Sequence, residues 1–203
     1  MHNARFHCMK SLCAICLLAL LSVLPARAQQ RLVMSESDGF GWTKVMGTGQ
    51  LVGALDVDDS VLVPTEYCYL LYAKGFLIAD SCADDEVVGE AAYDTDGNCL
   101  IPASRGYLKI RPVDNKGIRY IMARTRIDGH YYWAVCDVYG HEVISPIMYS
   151  DLMESPYGSF YYTDKGFAVK YKKKYTYLHI YVDEDGRMYQ RDEDGIVYLA
   201  DYE

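Results

Sequence analysis

The chain has 203 residues and a formal net charge of −8, with 20 Lys and Arg against 28 Asp and Glu. Phosphate binding depends on clustered cations, so an acidic chain of this kind excludes nucleic acid as the expected partner. The length suffices for one domain with a real core, or for a short array of repeats.

From the N-terminus, residues 1–28 read as a signal peptide. Arg5 and Lys10 supply the positive end, Ser11 to Leu24 form an apolar run, and Ala26-Arg27-Ala28 gives a small-x-small cleavage site before Gln29. The run is short for a permanent membrane span. A buried core helix is the competing account, but such helices seldom open with a basic segment and close on a cleavage site. Cys13 and Cys16 sit inside the run rather than just after it, which favours a free product over a lipoprotein. The expectation is a periplasmic or extracellular protein cleaved near Ala28, with no transmembrane segment remaining. Cleavage removes Arg5, Lys10 and Arg27 and no acid, so the formal charge falls from −8 by three, to −11.

Beyond the leader, short runs rich in Tyr, Val, Ile and Phe are broken by Gly, Asp, Asn and Pro, the vocabulary of strands and turns. Self-comparison then finds a recurring segment. Asp56-Val57-Asp58-Asp59-Ser60-Val61-Leu62-Val63-Pro64 aligns without gaps on Asp94-Thr95-Asp96-Gly97-Asn98-Cys99-Leu100-Ile101-Pro102. Asp137 to Pro146 repeats it with one extra residue, and Asp183-Glu184-Asp185-Gly186 keeps the turn alone. Upstream of three of these turns stand Lys74-Gly75-Phe76, Lys116-Gly117-Ile118 and Lys165-Gly166-Phe167. Each unit therefore reads as a strand after Lys-Gly, a variable loop, a strand ending at Asp, a tight turn, and a strand ending near Pro. D-x-D-G between apolar runs is a hairpin signal, because Asp hydrogen-bonds its own main chain and Gly supplies positive φ. Phe167, Val169 and Tyr171 alternate with Ala168, Lys170 and Lys172 as in a half-buried strand. A last hairpin is expected around Asp192-Glu193-Asp194-Gly195, closing the chain with a charged edge. The fold class expected is all-β, with tandem antiparallel hairpin or meander repeats in a twisted, solenoid-like or propeller-like array. Its units are 39–72, 73–112, 115–162 and 164–203.

Tyr132-Trp133-Ala134-Val135-Cys136-Asp137-Val138-Tyr139-Gly140-His141-Glu142-Val143-Ile144-Ser145-Pro146, followed by Tyr149 and Asp151, resembles the WG-repeat family. Ala134 stands where that family has glycine, Val52-Gly53 replaces Trp-Gly in the first unit, and Gly89 falls two residues early in the second. The resemblance spans residues 39–190. It implies a β-rich repeat module in an exported bacterial protein, and brings no general catalytic activity.

Few residues point to chemistry. Cys68, Cys82, Cys99 and Cys136 outlast cleavage; they can form two disulfides or serve as small core hydrophobes, and their pairing is open. No C-x-x-C survives, and His130, His141 and His179 lack ligand spacing, so no metal or cofactor is expected. The D-x-D-G turns fail the calcium-loop pattern, since Gly falls at the fourth position from Asp94 and Asp183. The Lys170 to Lys174 run reads as a solvated loop, and Cys136 as core rather than nucleophile. Aromatic side chains remain. Trp42, Trp133, Tyr131 and Tyr161 are the candidates for ligand stacking, against the alternative that such rings fill the core between strands. The function expected is a noncatalytic binding module for a protein, peptide or glycan. The alternatives are a structural envelope-associated protein without a small ligand and, third, a hydrolase with acids from separate loops.

Overall fold

A computed structural model describes residues 30–32, 41–146, 160–171 and 174–202. The expected leader lies outside the described residues, as do Tyr149, Asp151, Lys172 and Lys173. The fold is all-β, a succession of small antiparallel sheets. The first sheet takes β1 (Gln30–Leu32), β2 (Thr43–Met46), β3 (Val52–Leu55) and β4 (Val61–Tyr67) in that order. The second takes β5 (Tyr69–Ala73), β6 (Phe76–Ala83), β7 (Glu86–Tyr93) and β8 (Cys99–Ile101). The third takes β9 (Lys109–Asn115), β10 (Ile118–Ile127), β11 (His130–Cys136) and β12 (Glu142–Ile144). Two three-stranded sheets follow, β13 (Phe160–Thr163), β14 (Gly166–Tyr171) and β15 (Lys174–Tyr177), then β16 (Tyr181–Val182), β17 (Met188–Asp192) and β18 (Gly195–Tyr198). In every sheet each strand pairs with its neighbour in sequence, and among the described residues no pairing closes the first sheet onto the last.

The last two sheets meet at a break in one strand. The Phe167 N–H donates to the Ile180 carbonyl at 3.1 Å, and the Phe167 carbonyl accepts from the Leu178 N–H at 2.8 Å. Backbone pairing with β14 thus runs on between β15 and β16, past His179 in the left-handed region at φ 53°.

The four Asp-centred turns share one bonding pattern. Asp56, Asp94, Asp137 and Asp183 each accept at Oδ1 from the N–H groups two and four residues on, at 2.8–3.0 Å. The residue three after each Asp, Asp59, Gly97, Gly140 or Gly186, has φ between 65° and 88° and donates back to the Asp carbonyl. This is a type I turn followed by a left-handed residue, the usual three-residue hairpin loop. The Lys-Gly landmarks are two-residue turns with positive φ at both positions in Lys74-Gly75 and Lys116-Gly117. They join the first two strands of the second and third sheets, so these sheets open one strand before the landmark.

The expected variable loops are hairpins too. Asp84-Asp85 and Asp128-Gly129 are two-residue turns at the ends of long strands. Nor is burial one-sided in the inner sheets. Leu77, Ala79, Ala91 and Tyr93 pack with Val52, Ala54, Leu62 and Val63 of the first sheet. The alternate residues Phe76, Ile78 and Ala92 pack with Ile110, Ile121, Ala123, Ala134 and Cys136 of the third. The opposite face of the third sheet, with Tyr120, Met122, Trp133 and Val135, packs on Phe167, Ile180, Val182 and Met188. Sheets stacked face to face bury both sides, which is why these strands read as continuous apolar runs. At Phe167 and Ala168, too, neighbours are both buried, where strict alternation had been expected.

Candidate functional site

The third and fourth Asp turns come together at one edge of the stack. The turn after Asp137 carries Tyr139 and His141 at its second and fourth positions, and the turn after Asp183 carries Asp185 and Arg187 at the same places. The fourth-position side chain completes the turn in three cases. Asn98 Nδ2 donates to Asp94 Oδ2 at 2.7 Å, His141 Nδ1 meets Asp137 Oδ2 at 2.8 Å, and Arg187 Nε donates to Asp183 Oδ2 at 2.9 Å. A carboxylate only accepts, so His141 carries its proton on Nδ1 and keeps Nε2 as an acceptor when neutral.

Between these turns lies a half-open cleft of about 280 Å³, lined by Tyr139, His141, Arg187, Asp201 and Tyr202. Tyr202, near the C-terminus, is its central wall. Its hydroxyl accepts from the Met188 N–H at 2.9 Å, and its ring meets Tyr139 edge to face at 5.4 Å and His141 at 5.5 Å. Burial raises the Tyr202 hydroxyl pKa; the Met188 N–H opposes this, and the Asp137 carboxylate adds to it. Burial alone would raise Asp183, but hydrogen bonds from the Arg187 backbone and guanidinium hold it below the ordinary carboxylate value. Arg187 also reaches Asp185 at 2.9 Å and lies over the Tyr198 ring at 5.0 Å. The cleft therefore presents aromatic walls, one free carboxylate edge at Asp201 and a cation already neutralised. Aromatic walls with a few polar groups are the usual lining of a ligand pocket.

The four aromatic candidates do not converge. Trp133 is 7% exposed and belongs to the core between the third sheet and the last two, with Arg124 over its ring at 5.7 Å. Tyr131 is exposed, with Arg124 over its ring at 4.8 Å and Arg126 at 5.9 Å. Trp42 is half-buried against the core of the first two sheets, and Tyr161 is placed by its backbone alone, opposite Ala168. The cleft residues were missed because Tyr139 and Tyr202 meet only through tertiary folding. A signal was available in the turn alignment, which puts the largest side chains of any turn at Tyr139, His141 and Arg187.

Among the described residues one disulfide forms, Cys68–Cys82, while Cys99 is exposed and Cys136 buried as free thiols. Burial pushes the Cys136 thiol up to about 12, which suits core packing rather than nucleophilic attack. An acid pair lies elsewhere, at Asp80 opposite Glu90 across β6 and β7. Glu90, 2% exposed, accepts from Lys109 Nζ at 3.0 Å and from the Ile110 N–H. Burial raises both carboxyls, against the nearby Lys109 charge. These acids share one sheet, not separate loops, and Glu90 is enclosed. Comparison with protein-family models, with curated proteins and with solved structures finds no match in any of the three.

Proposed function

We propose that the chain is an exported, noncatalytic β-repeat protein of the WG-repeat kind that binds a peptide or glycan in the cleft between its third and fourth Asp turns. The observation that carries this reading is the convergence of the Tyr139, His141 and Tyr202 rings with Asp201 around one open space. Rings of this kind bury large apolar area at small entropic cost, which suits recognition. The repeated turn geometry, and the stacking of successive sheets, support a tandem array. The leader-like segment supports export.

The test is a glycan array and a peptide library probed with the wild-type chain and Tyr139→Ala. Tyr139 is 43% exposed at the rim, so its loss removes a wall without opening the core. Binding that disappears in the variant is the expected outcome. Turnover of any substrate, abolished by changing one polar residue, overturns the noncatalytic reading. A protein purified from the exported fraction that still begins at Met1 overturns cleavage near Ala28.

A structural protein without a small ligand is the second reading. It draws on the Asp137–His141 and Asp183–Arg187 pairs, which already serve their own turns. Arrays blank for every ligand favour it.

A further inference from the structure

The aromatic lining continues past the rim of the cleft. Tyr202 meets Tyr198 at 5.6 Å, Tyr198 lies 6.1 Å from Tyr189, and Tyr189 stacks on Tyr181 at 5.6 Å with planes 27° apart. Strand register produces this row. Tyr181 stands opposite Tyr189, and Tyr189 opposite Tyr198, so the rings share one face across β16, β17 and β18. Tyr139 and His141 extend the row on the far side of Tyr202.

Exposure separates these rings from the structural ones. Tyr67, Tyr93, Tyr107 and Tyr120 are 4–5% exposed in the cores, whereas Tyr139 and Tyr198 are 43% and 42% exposed and no ring of the row is buried. Arg187 is held by Asp183 and Asp185, and Arg191 lies over Tyr181 at 5.1 Å and Tyr189 at 5.9 Å.

We propose that this row binds an extended neutral polysaccharide lying across the strands from β16 into the cleft, a proposal that rests on reading the cleft as a binding site. The rings lie 5.4–6.1 Å apart, Tyr181 and Tyr189 stacked and the others steeply inclined to one another, so ring edges as well as faces give successive sugar units apolar surface, beside the guanidinium groups of Arg187 and Arg191. Asp185 and Asp201 beside the row accept hydrogen bonds from hydroxyl groups. The Asp201 carboxylate, on a chain of net charge −8, repels uronate and phosphate polymers. A shallow row provides none of the deep side-chain pockets that give peptides their specificity.

The test uses the full chain in affinity electrophoresis through gels containing neutral glucan, xylan or mannan, with polygalacturonate as the anionic polymer, followed by calorimetry with oligosaccharides of increasing length. Retardation by a neutral polymer and not by polygalacturonate is expected, with affinity rising from disaccharide to hexasaccharide. Tyr189→Ala and Tyr198→Ala should each weaken binding about tenfold, the loss of one stacked ring, while Tyr189→Phe binds as wild type. Melting temperatures of the variants check the fold, and Tyr189→Phe keeps the ring if Tyr189→Ala unfolds. Equal affinity for short and long oligosaccharides, or wild-type binding by Tyr189→Ala, overturns the row even where Tyr139→Ala abolishes binding. A peptide bound through Tyr139 with every glycan blank overturns the polysaccharide and leaves the binding module standing. No ligand of either class overturns both.

Discussion

The second and third sheets place opposite chemistries in the same backbone slot. In the third, Arg124 faces Trp133 across β10 and β11; at the matching positions of the second, Asp80 faces Glu90 across β6 and β7. Glu90 and Trp133 each stand four residues before an Asp turn. Trp133 fills its place by packing in the core beside Phe167 and Met188. Glu90 fills the same place by hydrogen bonding, its backbone N–H to the Tyr107 carbonyl and its carboxylate to Ile110 and Lys109 of the next sheet. A buried carboxylate is tolerated when each oxygen is met. Each pair also leaves one atom, Asp80 Oδ1 or Arg124 Nε, buried without a hydrogen-bond partner. The lesson is that the slot fixes backbone geometry and leaves open whether area or hydrogen bonds join the sheets.

Substitutions break this comparison at graded strength. Trp133→Ala should destabilise by about 4 kcal/mol, the loss of a large core ring with its cavity, read by denaturant titration. Reducing Cys68–Cys82, which closes a loop of separation 14 in the second sheet, should lower stability by about 3 kcal/mol, seen as a drop in melting temperature on adding reductant. Glu90→Ala should destabilise by about 2–3 kcal/mol, because the Ile110 N–H and the Lys109 ammonium lose their acceptor. Glu90→Gln, which keeps one acceptor, should lose less, and equal losses would show that the packing volume matters rather than the hydrogen bonds.

Asp80→Asn is the mildest change and has the opposite sign, a small gain at neutral pH. Burial first, against Lys109, raises the folded-state pKa of Asp80, and Glu90 is raised in the same way. The folded chain then binds protons more tightly than the unfolded one. As pH climbs from the ordinary carboxylate range through the raised folded values, stability from this pair should fall, and above them the penalty is complete. A denaturation midpoint that declines over that window in the wild-type chain and is flatter in Asp80→Asn is the expected result. A midpoint rising over the window would reverse the sign assigned to the pair.

The turns were legible because their chemistry is local. Asp137 bonds residues two and four ahead, and Gly140 takes a conformation that side chains resist, so both leave a mark on adjacent letters. Hairpin tips were less legible: Asp84-Asp85 carries no glycine and reads as a loop, yet both residues sit at positive φ. The slot of Glu90 was obscured by Gly89. Counted back from the Asp turns, Ala91 instead stands level with Gly53 and Ala134, two places beyond the familiar glycine. The cleft was hidden for a different reason. Tyr139 and Tyr202 are far apart in sequence, and nothing local in either tells that their rings will touch.

The strictly sequential strand order bears on how the chain reaches this state. Among the described residues no strand waits for a partner synthesised much later, so each hairpin can close as soon as its second strand is available, and loop-closure entropy stays small at every step. A chain of this order can therefore fold one hairpin at a time as it is made. The docking of Tyr202 against the third and fourth turns then waits for both of the hairpins that carry them.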